Sequence, residues 1–326
     1  MKTTVIFHSA DFDGLFCREI ARKFLPEAEL IGWNFGDTPL DATEVNQRLY
    51  IMDLPMDKPF GLDFVTATEV SPANVRDAVG LAYRDVVWID HHKSSIESHP
   101  KDISGYRIDG VAACRLAWQW LAAFGRFEAQ STIEAHSQEG MAWFMAHYPL
   151  PKKSDFIDRN VEEPLAVRLA GEYDVAGPDA NDEALNFQFG LRSWELTDQN
   201  WADLLVHPYD GNGLTGTLIE RGRAVRGYLE KADAMAAQSA FPMEFDGLLF
   251  LAINAYRGNS KAMQIAAANG GADAVMAFAY RGKKWTVSMY GIPGKDIDLS
   301  AIAKAHGGGG HARAAGFECD KLPWLC

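Results

Sequence analysis

His8, Asp11 and Asp13 stand within one short stretch, His8-Ser9-Ala10-Asp11-Phe12-Asp13-Gly14. Two later apolar runs also meet acids: Tyr50-Ile51-Met52-Asp53-Leu54, and Val86-Val87-Trp88-Ile89-Asp90-His91-His92. One Asp or His at a strand end is ordinary, because strand ends are solvated. Three strand ends carrying them together are informative. In one crevice, His8, Asp11, Asp13, Asp53, Asp90, His91 and His92 would set carboxylate against carboxylate, each raising the pKa of the next. A cation relieves that repulsion. Carboxylate and imidazole without thiolate suit a hard to borderline divalent ion, Mn²⁺ first, with Mg²⁺ or Co²⁺ as alternatives. The donors outnumber what one ion uses, so the pattern predicts a two-metal centre.

Alternating elements must bring these residues together. Thr3–His8, Leu30–Asn34, Leu49–Leu54 and Asp85–Ile89 read as strands, and Leu15–Leu25 and Ala73–Tyr83 as helices. Such alternation predicts an α/β fold whose N-terminal sheet is mostly parallel, with helices on both faces. Ligands of such sheets bind beyond the carboxyl ends of the strands, where the acids and histidines fall. The pattern then turns helical over Val111–Phe124, Thr132–Tyr148 and Glu163–Glu172. Leu214–Ser239 reads as a long connecting helix. Strands return at Leu248–Asn254, Ala274–Tyr280 and Trp285–Tyr290, followed by a helix, Asp298–His306. The domains expected are 1–195, a helical linker 196–240 and a smaller α/β domain 241–326.

Composition narrows the function. The chain has 326 residues and a net charge of −13, the reverse of what a protein gripping long duplex nucleic acid through its backbone carries. No apolar run reaches bilayer-spanning length, and Met1–Phe7 is too soon interrupted by His8 to read as a secretory signal. Cys17, Cys114, Cys319 and Cys326 form no close pairs, which predicts reduced thiols and a cytoplasmic protein.

Asp90-His91-His92 after an apolar strand, with His-x-x-Asp-x-Asp near the N-terminus, resembles the DHH phosphoesterase family. Gly307-Gly308-Gly309-Gly310-His311-Ala312-Arg313-Ala314-Ala315-Gly316-Phe317 resembles the glycine-rich motif of that family's DHH-associated domain. The spacing of the first motif resembles the nanoRNase (oligoribonuclease) branch. The resemblance implies one metal held by His8, Asp11 and a bridging Asp53. It implies a second held by Asp13, Asp53, His91 and a further aspartate. Asp174 suits that last role best, with Asp155, Asp158 and Asp179 as competitors. It further implies that Asp90 orients a ligating imidazole and that His92 touches the scissile phosphate or aids the leaving oxygen. The nucleophile would be a metal-bridging hydroxide attacking phosphorus in line.

Consecutive glycines let backbone N–H groups converge on an anion. Gly308, Gly309 and Gly310, with His311 and Arg313, are therefore expected to grip phosphate, on the opposite wall of a cleft from the metals. Arg257, Tyr256 and the Asn259-Ser260 pair before Lys261–Ala268 are weaker substrate candidates. Tyr290, where many relatives carry arginine, either stacks on a base or packs. The leading expectation is a phosphodiesterase releasing mononucleotides from short oligoribonucleotides or linear dinucleotides. Cyclic dinucleotides, phosphoadenosine phosphate or polyphosphate are alternative substrates. A non-catalytic nucleotide-binding regulator is the alternative of another class. A homodimer is compatible with the sequence, and no membrane partner is expected.

Overall fold

A computed structural model of the chain describes residues 2–40, 47–61, 83–99, 101, 103–130, 137–206, 213–254, 267 and 271–325. The chain forms two compact units, Met1–Arg223 and Ala224–Cys326, the division falling along the sequence within the helix Leu214–Ala237.

The first unit is built on five strands: β1 (Thr3–His8), β2 (Glu29–Trp33), β3 (Gln47–Met52), β4 (Tyr83–Asp90) and β5 (Gly105–Arg107). They pair in the order β2-β1-β3-β4-β5, every pair parallel. Parallel strands buried on both faces need apolar side chains at odd and even positions alike. Val5, Phe7, Tyr50, Met52, Val87 and Ile89 feed one core. Ile6, Leu49, Ile51 and Trp88 feed the other. This strand order reverses direction at β1, and the crevice between β1 and β3 at their carboxyl ends is the topological switch point where such sheets bind ligands.

The helix Phe12–Phe24 follows β1 almost at once. Asp11 caps it by accepting from Gly14 N–H at 3.0 Å, and Phe16, Cys17, Ile20 and Ala21 form its buried face. Gly14 permits the sharp turn from strand to helix. A Cβ there would lie 1.9 Å from the His8 carbonyl oxygen, inside the strand backbone. The helix Ala113–Gln130 packs in the same core, and Leu165–Ala176 begins directly after Pro164. A proline there is natural, since the first helical N–H groups have no intrahelical partner.

The second unit is a six-stranded sheet in the order β10-β11-β9-β8-β7-β6. Its strands are β6 (Phe241–Phe245), β7 (Leu248–Asn254), β8 (Ala274–Tyr280), β9 (Trp285–Gly291), β10 (Gly309–His311) and β11 (Ala314–Cys319). All pairs are antiparallel except β7–β8. Phe245, Phe250, Phe278, Phe317, Leu299 and Ala303 pack together, the last two from the helix Leu299–Ala305. No helix among the described residues is long and apolar enough to cross a membrane.

The structure differs from the sequence reading at several elements. Tyr83, expected to end a helix, opens β4, and 73–82 lie outside the described residues. Asp182–Arg192 and Asp198–Leu204 are helices without a forecast. Gly309–His311, read as loop, is strand. Gly308 has no room for a side chain, since a Cβ would meet Gly316 O at 2.1 Å. Within the strand, Gly310 has φ at +132° and a Cβ there would meet Ala314 O at 2.6 Å, so close approach selects glycine at a position where strand propensity would reject it.

Candidate metal centre

His8 is the last residue of β1. Its Nδ1 lies 2.8 Å from Asp11 Oδ2 and 3.4 Å from Asp53 Oδ2. Its Nε2 faces Asn34 Oδ1 at 3.2 Å. An amide oxygen only accepts, so Nε2 carries a proton, and this leaves Nδ1 as the nitrogen able to bind a cation. Asn34 directly follows β2, so the strand-end rule applies to it as well, although an amide lacks the charge by which the acids stand out.

Asp13 sits in the first turn of the Phe12–Phe24 helix, fully buried. Its two oxygens accept from the N–H groups of Ala113 and Cys114, at 2.8 and 2.7 Å. These N–H groups open the Ala113–Gln130 helix, whose positive end stabilises a carboxylate. Backbone donors leave no mark in sequence, so this partnership could not be read there.

Asp53 follows β3 with φ at +59°, a left-handed conformation that costs a non-glycine residue free energy. Its N–H donates to Ile89 O at 3.0 Å, which ties it to β4. Its Oδ2 is buried without a hydrogen-bond partner.

His91 Nε2 is ringed by three carboxylates: Asp174 Oδ2 at 3.3 Å, Asp53 Oδ1 at 3.4 Å and Asp13 Oδ2 at 3.6 Å. Asp174 lies in the last turn of Leu165–Ala176, not after the helix as the sequence reading had it. Asp155 and Asp158 belong to the Lys153–Ile157 helix and its C-cap, where Asp155 accepts from Lys152 N–H. Asp179 lies in the following turn.

Asp90 is buried and accepts through Oδ1 from His91 N–H at 2.8 Å and His92 N–H at 3.3 Å. The same oxygen lies 2.7 Å from His92 Nδ1. The imidazole it orients is therefore that of His92, rather than one of the two rings facing the aspartates.

The electrostatics match the crowding. The Asp11 carboxylate, then that of Asp53, raises His8 to about 10. Burial works to lower His91, but Asp53, Asp13 and Asp174 outweigh it and bring it to about 10. Burial, then the charge of Asp53, raises Asp13 to about 7. Burial, then the charge of Asp13, raises Asp174 to about 7. Asp90 raises His92. Cys17 and Cys114 are buried nearby, and burial followed by the charge of Asp13 pushes both thiols well above their ordinary value.

Among the described residues three sets of donors could each surround a cation: His8, Asp11 and Asp53; Asp13, His91 and Asp174; and Asp53, His91 and His92. Asp53 belongs to two of them, and its orphaned oxygen calls for a positive partner. The donors fit divalent ions of the Mn²⁺ and Mg²⁺ class.

The proposed substrate residues lie in the second unit. Gly308, Gly309, Gly310, His311 and Arg313 are exposed. Tyr290 is half-buried against the cluster of Ile253, Val275 and Ile292. It aligns with Ala314, which aligns in turn with His311. Arg257, Tyr256 and the segment 259–266 lie outside the described residues.

No family model matches the chain, and no curated protein does. Among solved structures it is similar to a pGpG-specific phosphodiesterase, PggH, from Vibrio cholerae. The identity is 13%, over 98% of this chain and 94% of that one, with a TM-score of 0.42. An exopolyphosphatase-related protein from Bacteroides fragilis is 10% identical over 98% and 88%, with a TM-score of 0.33. A putative family II inorganic pyrophosphatase from Methanococcus jannaschii is 13% identical over 100% and 98%, with a TM-score of 0.26. All three TM-scores lie below 0.5, so the fold and the site stand on the chain's own geometry.

Proposed function

We propose that the chain is a metal-dependent phosphodiesterase of the DHH type that releases mononucleotides from short oligoribonucleotides or linear dinucleotides. The observation that carries this reading is the convergence of His8, Asp11, Asp13, His91 and Asp174 around Asp53, whose buried Oδ2 has no hydrogen-bond partner. His8, Asp11 and Asp53 would hold one divalent ion; Asp13, Asp53, His91 and Asp174 would hold the other. When bound, such a pair supplies a nucleophile available at neutral pH and neutralises charge on phosphate oxygens.

The chain's own residues do the rest. Asn34 fixes the His8 ring so that Nδ1 faces the aspartates. The N–H groups of Ala113 and Cys114 hold Asp13 in place. Asp90 engages His92 Nδ1, which leaves Nε2 as the nitrogen that can pass a proton to the leaving oxygen. Asp90 raises His92 above its ordinary value, which shifts the ring toward the protonated form that a general acid uses. Gly308, Gly309, Gly310, His311 and Arg313 would supply phosphate-binding groups, with Arg257 as a further candidate.

The net charge of −13 favours short substrates. A strand gripped at many phosphates shows a steep salt slope, about −0.7 per neutralised phosphate for single strands. We expect about two or three phosphates to be held, so RNAs of about two to five nucleotides are cleaved at least as well as long ones, with weak salt dependence. The test is a panel of length-graded oligoribonucleotides, cyclic dinucleotides, phosphoadenosine phosphate and pyrophosphate, with Mn²⁺ and with chelator. Efficiency that climbs with length and falls steeply with salt overturns the short-substrate reading. Full activity of metal-stripped protein overturns the metal-dependent one. Binding of nucleotides with no turnover of any member would mark a regulator.

A further inference from the structure

A large apolar side chain stands in solvent beside the candidate metal centre. Phe35 is 56% exposed, while its neighbour Trp33 is only 5% exposed. Its ring stands edge to face with that of His8 at 6.0 Å and with Trp33 at 5.6 Å. Single exposed apolar residues are common and need no explanation. Contact with a candidate ligand sets this one apart from Tyr228 and Met235, which are exposed along the Leu214–Ala237 helix.

The backbone holds Phe35 there. Its N–H donates to Asn34 Oδ1 at 2.8 Å, the same oxygen that accepts from His8 Nε2 at 3.2 Å. Asn34 N–H donates to Asp37 Oδ2 at 2.8 Å, and Asp37 N–H donates to Asn34 O at 3.0 Å. One closed turn therefore positions both an imidazole aimed at the metal cluster and an aromatic face open to solvent.

We infer that Phe35 is the stacking platform for a nucleobase of the substrate, and so sets a preference for nucleotides over base-free phosphates. This rests on the phosphodiesterase reading above and names the group that its site reads. An aromatic face stacks on any base, because every base has a π-face. Phenylalanine carries no donor or acceptor, so Phe35 selects for the presence of a base and not for its identity. Because one turn carries both rings, stacking at Phe35 also helps orient the phosphate at the cluster.

The test is calorimetric titration of the Mn²⁺-loaded protein with adenosine 5′-monophosphate and with ribose 5-phosphate, which keeps the phosphate and lacks the base. The wild type should bind the nucleotide about tenfold more tightly, equivalent to about 1.4 kcal/mol and within the range of one base–aromatic stack. Phe35→Ala and Phe35→Leu should lose that preference with ribose 5-phosphate affinity unchanged, and Phe35→Trp should keep it. Phe35→Leu preserves apolar bulk without a π-face, so it answers the question if the alanine variant folds poorly. A wild type without the preference overturns the inference. So does a preference that survives in Phe35→Leu, or a variant that weakens both ligands alike. Lost preference in Phe35→Leu of a protein that leaves oligoribonucleotides intact upholds the stacking platform and overturns the oligoribonuclease reading. Cleavage of oligoribonucleotides together with an unchanged preference does the reverse.

Discussion

Asp13 Oδ1 accepts a hydrogen bond from Cys114 N–H at 2.7 Å, across 101 positions of sequence. The carboxylate that faces His91 is thus also the cap of the Ala113–Gln130 helix. Asp174 faces the same imidazole without any such duty. The two acids should therefore respond differently to the same substitution. In metal-free protein near pH 8, Asp174→Asn should raise the melting temperature, because it removes one of several crowded charges. Asp13→Asn relieves similar repulsion but turns an amide NH₂ toward a backbone N–H, at a cost of about 1–3 kcal/mol. It should melt below Asp174→Asn, and both should bind Mn²⁺ poorly. Equal melting temperatures would mean that the helix cap contributes nothing.

The left-handed backbone of Asp53 separates its roles in another way. Asp53→Ala and Asp53→Gly should both abolish turnover, and Asp53→Ala should be the most damaging single alanine change among the candidate ligands. Without metal, Asp53→Gly should be the more stable of the two by about 1 kcal/mol, since glycine takes this conformation freely. Denaturant melts of the two variants check this. Near-normal turnover in either would remove Asp53 from the centre.

His8, His91, Asp13 and Asp174 all have pKa values raised above their ordinary ones. Each binds its proton more tightly when folded, so the stability it lends is present at low pH and lost as pH rises. For the two aspartates the loss runs from about 4, the ordinary carboxylate value, to about 7. For the two histidines it runs from about 6.5 to about 10. Asp11 opposes them: although its burial acts to raise it, His8 and Gly14 N–H hold it below its ordinary value. The net expectation is metal-free protein that weakens from pH 6 to pH 9. Cations compete with those protons, so stabilisation by Mn²⁺ should grow over the same range, reaching about 2.7 kcal/mol at a hundredfold excess over Kd. Thermal melts with chelator and with Mn²⁺ at several pH values test both signs.

A buried pair fastens the loop after Asp53 to the helix after His92. Asp57 Oδ1 lies 3.0 Å from His99 Nε2, and His99 Nδ1 lies 2.8 Å from Ser95 O. Asp57→Ala leaves a buried imidazole nitrogen without that partner, which costs about 1–3 kcal/mol. The loss should appear equally with and without Mn²⁺ in denaturant titrations. A variant as stable as wild type would show that water replaces the carboxylate without cost.

The clustering of His8, Asp53 and His91 is legible because each stands at or just beyond the end of an apolar run, and parallel strands deliver their carboxyl ends to one crevice. Asp174 has no such strand before it. It projects from the last turn of a helix whose apolar spacing suggests an end at Glu172, and only the resemblance to a family points to it. The left-handed turn at Asp53, the backbone donors at Ala113 and Cys114, and the amide of Asn34 depend on tertiary approach. Periodicity carries no trace of them. The glycine run misleads in a different way, because Gly308 and Gly310 answer close backbone approach that propensity alone does not weigh.

Asp174 comes from a helix that the ribosome delivers long after the other candidate ligands. During synthesis, β1 and β3 can pair and bring His8, Asp11 and Asp53 together while Asp13 and His91 still lack their third donor. A cation captured at that stage would meet only part of the pocket. Full occupancy would thus have to wait for Leu165–Ala176, and a nascent or nicked chain that lacks this helix keeps the donor set of His8, Asp11 and Asp53 and forfeits that of Asp13, His91 and Asp174.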